Sequence, residues 1–156
     1  MELKDLKSQY TKVAEKYKLP SFTLINENFE VDRIERETEC VVREVRKIMM
    51  DKIIGYIRFL EMMINPVQAP PMFLIFVRNI NAEDKNVIEK VYKNFIELEL
   101  LSLKLEIDYR EEEEAKAIKK ILEVWNKTKQ DLKAVIEIME KNWRSGENKK
   151  EKGYFG

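Results

Sequence analysis

Residues 72–145 read MFLIFVRNINAEDKNVIEKVYKNFIELELLSLKLEIDYREEEEAKAIKKILEVWNKTKQDLKAVIEIMEKNWRS, with no glycine or proline between Pro71 and Gly146. A sheet needs turns and a phosphate loop needs close backbone approach, and both draw on those two residue types. A run this long without them is expected to be helical. Elsewhere, breakers fall at Pro20, at Pro66 to Pro71 and from Gly146 onward, with Gly55 the only one inside a patterned segment. Such sparse punctuation predicts an all-α chain: a bundle of about four long helices over roughly 2–18, 32–64, 82–107 and 109–143. The expected organisation is one domain, 1–145, with a flexible tail at 146–156.

The apolar spacing supports each helix in turn. Leu3, Leu6, Tyr10, Val13 and Tyr17 recur at three and four residues, and Leu19-Pro20 ends that stripe because the residue before proline is pushed out of the helical region. Residues 21–30 read as a connection carrying Phe22, Leu24, Ile25 and Phe29. Asp32 and Glu35 have capping-box spacing, followed by an apolar face from Val41 to Met63. Asn81-Ala-Glu-Asp is expected to open the next helix. Residues 101–107 alternate strictly between apolar and polar, which is a strand signature and leaves open a short hairpin with 73–77. Their leucine, lysine and glutamate content favours helix. Asp108 and Glu111 again have cap spacing. Beyond them Ile118, Leu122, Trp125, Lys129, Leu132, Ile136, Met139 and Trp143 follow a heptad.

Composition narrows function more by exclusion than by indication. The 156 residues balance 29 basic against 29 acidic side chains, so no global field draws the chain to nucleic acid or anionic membrane. There is no histidine, which removes the commonest proton-transfer group, the Glu-x-x-His form of a di-iron site and the usual structural zinc sets. The four glutamates Glu111 to Glu114 point in successive directions around a helix start, where they answer the macrodipole; a solvated, capped terminus is expected rather than a metal site. Cys40, the single cysteine, has no histidine to activate it and reads as a core filler in a reducing cytoplasm. The most apolar stretch, 48–64, carries Asp51, Lys52, Arg58 and Glu61, so no membrane span and no membrane partner are expected. No catalytic residue, metal or cofactor is indicated, and the chain reads as a non-enzyme.

What remains points to contacts with macromolecules. Trp125, Met139 and Trp143 lie on the apolar stripe of the last helix, and large aromatics there serve as interface anchors, for a second copy of the chain (a dimer) or for another protein. Gly55 lies on a polar strip where its missing side chain would admit a neighbouring helix. Residues 115–156 hold eleven basic and six acidic side chains. Lys116, Lys119, Lys120, Lys127, Arg144, Lys149 and Lys150 therefore form the candidate surface for the alternative reading, a nucleic-acid-associated accessory factor of replication or repair type.

The lysine, glutamate and isoleucine bias, the long helices and the Asn65-Pro66 to Pro70-Pro71 punctuation resemble small all-helical archaeal proteins of unknown function. That resemblance implies a fold, and the charge-rich composition suits thermostability through surface ion-pair networks. Over about 30–105 there is a second resemblance. Glu30-Val-Asp-Arg-Ile34, then Arg43, Arg46, Lys52, the Tyr56 to Glu61 stretch and a helix opening at Ala82-Glu83 are similar to the helical domain of GINS replication subunits. It would imply a replisome scaffold acting through protein contacts. The primary expectation is a non-catalytic protein-interaction or scaffold protein.

Overall fold

The computed structural model describes residues 3–35 and 38–153, the side chains of 147–153 excepted. Among them are six α-helices and no strand: α1 (Leu3–Tyr17), α2 (Phe22–Phe29), α3 (Val41–Ile64), α4 (Phe73–Val77), α5 (Ala82–Ile107) and α6 (Glu111–Gly153). The all-α expectation holds. Residues 73–77 and 101–107 are both helical, so the hairpin alternative is not what forms. No described helix is long and apolar enough to cross a membrane.

Several boundaries differ from the sequence reading, each for a local reason. The expected connection at 21–30 contains α2, capped by the Ser21 hydroxyl, which accepts from the Leu24 N–H at 3.3 Å. Glu30 closes it in the left-handed conformation (φ 55°), donating its N–H to the Asn26 carbonyl at 2.8 Å. The Asp32 N–H is taken by the Asn26 side chain at 2.8 Å, and a 3-10 turn over Val31–Arg33 follows, so Asp32 does not cap a long helix. Helix α3 opens nine residues later than expected from that box, at Val41. The Asn81 expectation was right: its side chain accepts from the Asp84 N–H at 2.7 Å. Asp108 instead lies 3.6 Å from Arg110 Nε, and α6 starts at Glu111. Helix α6 also runs past 143 to Gly153, because no proline stops it and Gly146 stays helical. Residues 154–156 of the expected tail lie outside the described residues.

The chain divides into two compact units, residues 1–55 with 95–125 and residues 56–94 with 126–156. In the first, Leu6, Tyr10, Ile25, Phe29, Val45, Met49, Ile53, Phe95 and Ile118 are buried to within 2% of their surface. Tyr10 also donates its hydroxyl to the Pro20 carbonyl at 2.9 Å, tying the end of the first loop to α1. In the second, Leu60, Met63, Ile88, Val91, Leu132 and Val135 are among the buried side chains. Rings line up beside it: Phe59 with Phe73, Phe73 with Phe76, and Phe76 with Trp143, at centroid separations of 6.1, 5.4 and 5.8 Å.

Candidate functional site

The C-terminal half of α5 carries two apolar faces. Two residues turn an α-helix by about 200°, so strictly alternating apolar positions fall on opposite sides of it. Leu98 and Leu105 are buried together with Ser102 on the inner side. On the other side stand Ile96, Leu100, Leu103 and Ile107, spaced four, three and four residues apart, the repeat of a coiled-coil seam. Leu100 and Leu103 are each 55% exposed and Ile107 is 87% exposed, with Ile96 half-buried. An outward leucine–isoleucine stripe of this regularity differs from scattered surface apolar residues, which need no explanation.

Its inner side is fixed by charge. Arg46, on α3, is fully buried and spends its guanidinium on three partners. Nε and Nη2 donate to the two Glu114 carboxylate oxygens at 2.7 and 3.1 Å, Nη1 to the Ser102 hydroxyl at 2.7 Å, and Nη2 also to Glu106 at 2.6 Å. Arg43 reaches the other Glu106 oxygen at 3.1 Å and lies 5.7 Å from the Tyr109 ring centroid. Burial works against the Arg46 charge, but the hydrogen bonds to Glu114 and Glu106 outweigh it and hold its pKa above the ordinary value. The Arg46 hydrogen bond likewise holds the Glu106 carboxyl below the usual carboxylate range. A buried arginine with a two-pronged carboxylate permits few orientations. Helices α3, α5 and α6 are thereby keyed together in the first unit, and the rotation that buries Ser102 turns Leu100, Leu103 and Ile107 outward.

This corrects the reading of the four glutamates as one solvated terminus. Glu114 is fully buried against Arg46; Glu111 accepts from Lys16 at 2.8 Å and from the Tyr17 hydroxyl at 2.9 Å. Those two hydrogen bonds lower the Glu111 carboxyl pKa. Glu112 and Glu113 alone behave as expected, pairing with Lys116 one turn on. The described residues hold no cluster of His, Cys, Asp and Glu suited to a metal ion. Cys40 is half-buried.

The residues singled out from sequence fall in different places. Trp125 is buried in its own chain, with its ring 6.4 Å from Phe95 and 5.6 Å from Phe29 and its indole N–H donating to Asn28 at 3.1 Å. The Lys52 ammonium sits 4.9 Å from the Trp125 ring and donates to the Asn28 carbonyl at 2.7 Å. Met139 is buried and Trp143 half-buried beside Phe76. Gly55 admits no neighbouring helix: a Cβ there would meet nothing within 4 Å. At Gly146 a Cβ would come within 3.0 Å of Ile75, so that glycine is the one that permits close approach. Lys116, Lys119, Lys120, Lys127 and Arg144 are exposed along α6. Lys116 and Lys119 join Lys16 and Lys18 around a cavity of about 260 Å³. The side chains of Lys149 and Lys150 lie outside the described part of the structure.

Sequence reasoning missed the α5 stripe, although its signal was present as the alternation at 101–107. Alternation on a helix means two faces, and only one of them can turn to the helix's own core. No family model, no curated protein and no solved structure matches this chain.

Proposed function

We propose that this protein is a non-catalytic interaction or scaffold protein whose binding surface is the outer face of α5. One observation carries the reading: a stripe at coiled-coil spacing, Ile96 to Ile107, is left largely exposed on a helix whose opposite side is locked by Arg46. Full burial of a large apolar side chain is worth about 1.5–3 kcal/mol, of which Leu100 and Leu103 forfeit about half and Ile107 most, and a helical partner would recover it. A photo-crosslinking phenylalanine at Leu103, with Lys133 on the exposed side of α6 as control, tests this in cells making the protein. Adducts to protein, whether to its own copy or another, are expected at 103 and not at 133. Equal yields at both positions, or none at 103, would refute the reading.

A second reading, a nucleic-acid-associated accessory factor, is favoured by the four lysines around the cavity at Lys16, Lys18, Lys116 and Lys119. It ranks lower because Lys16 already pairs with Glu111, and Lys116 with Glu112 and Glu113. Salt-dependent retention of single- or double-stranded DNA or RNA that disappears in Lys119→Glu would raise it.

A further inference from the structure

Resting on the interaction reading of α5, we infer that the occupant of its outer face is a second copy of the same chain. The spacing of the stripe is a palindrome, four, three, four. Reversing the direction of a partner helix therefore leaves the apolar layers in register: Ile96 meets Ile107 and Leu100 meets Leu103. A parallel partner matches each residue with itself. A surface able to pair with its own image in this way suits a two-fold dimer.

The charges beside the stripe are self-complementary as well. Glu97 and Lys104 flank it on one side, Glu99 and Glu106 on the other. In an antiparallel pair, flanking positions of one kind face each other across the seam, so Lys104 meets Glu97 of the second copy, and by symmetry this occurs twice. In a parallel pair Lys104 meets Glu99, five residues earlier on the second copy, again twice. Glu97 and Lys104 are both exposed on the present surface. The one like-charge approach, Glu99 towards Glu106 in the antiparallel case, is relieved because Glu106 is already neutralised by Arg46 and Arg43 at 2.6 and 3.1 Å. Whichever direction is adopted, Lys104, the only basic residue among the flanking positions of α5 itself, finds an acid on the second copy. That charge complementarity separates a second copy from an arbitrary apolar partner.

Sedimentation equilibrium over a concentration series tests this on the full chain. The wild type is expected to rise from the 18.7 kDa monomer towards twice that mass. Lys104→Glu should weaken association about tenfold or more, since the pair becomes repulsive on both sides of the two-fold. Adding Glu97→Lys to that variant restores the dimer if the helices are antiparallel; adding Glu99→Lys restores it if they are parallel. All three positions lie outside the buried core, and unchanged melting curves would show that the variants fold. A wild type that stays monomeric throughout, or a Lys104→Glu defect that neither second change repairs, overturns the self-pairing. If adducts to a different protein still form at position 103, the interaction reading survives that failure.

Discussion

In the first unit a guanidinium and a carboxylate occupy the interior, Arg46 and Glu114, with Ser102 and Glu106 completing the set. In the second unit every buried side chain described is apolar except Thr128, and Phe59, Phe73, Phe76 and Trp143 stand ring to ring beside them. The two interiors respond to damage in different ways. Hydrogen-bonded charges are directional and fix the rotation of each helix, but a charge stripped of its partner has no water to turn to. Ring contacts tolerate small shifts and lose energy in proportion to the surface removed. The half of α5 that carries the outward stripe belongs to the charged unit. The Arg46 network sets the rotation of that half of α5, and with it which side chains stand outward.

The largest expected effect follows from that contrast. Glu114→Ala leaves the Arg46 charge buried with less compensation and should cost about 3–5 kcal/mol in urea unfolding. Replacing both, Arg46→Met with Glu114→Leu, should return most of it. In the second unit, Trp143→Leu trims a half-buried ring and should cost about 1 kcal/mol. Equal losses in the two single variants would show that the network is peripheral and that the two interiors do not differ as described.

Much of this architecture was legible before any coordinates. The long run without glycine or proline and the Asn81 cap gave α5, and the heptad from Ile118 to Trp143 gave α6. The start of α3 is not legible from Asp32, because its backbone N–H goes to Asn26 of α2, a helix of only eight residues whose spacing reads as a connection. Glu114 was hidden among four like residues: sequence shows the run, but only the placement of Arg46 selects which carboxylate turns inward. The α5 face was obscured for a different reason. Period-two alternation is shared by a strand and by a helix with two apolar sides, so the pattern at 101–107 does not by itself distinguish them.

The two interior glycines give the smallest effect and sharpen the comparison. Gly55→Ala should stabilise by about 1 kcal/mol, the helix-propensity difference, since its new methyl meets nothing. Gly146→Ala places its methyl 3.0 Å from Ile75 Cγ2, so the same propensity gain is offset and the melting temperature should stay near or below wild type. A stabilisation at Gly146 equal to that at Gly55 would show that the contact between α4 and α6 is looser than drawn.

The two-faced character of α5 is the central claim, and a glutamate scan from Ile96 to Ile107 tests it most directly. Each variant would be assayed for monomer stability at low concentration, where dissociation does not contribute, and for mass at high concentration. Positions 98, 102 and 105 should lose stability. Positions 96, 100, 103 and 107 should lose association, with stability unchanged at the three most exposed of them. Stability losses at 100, 103 and 107 matching those at 98 and 105, with no change in mass anywhere, would contradict the account.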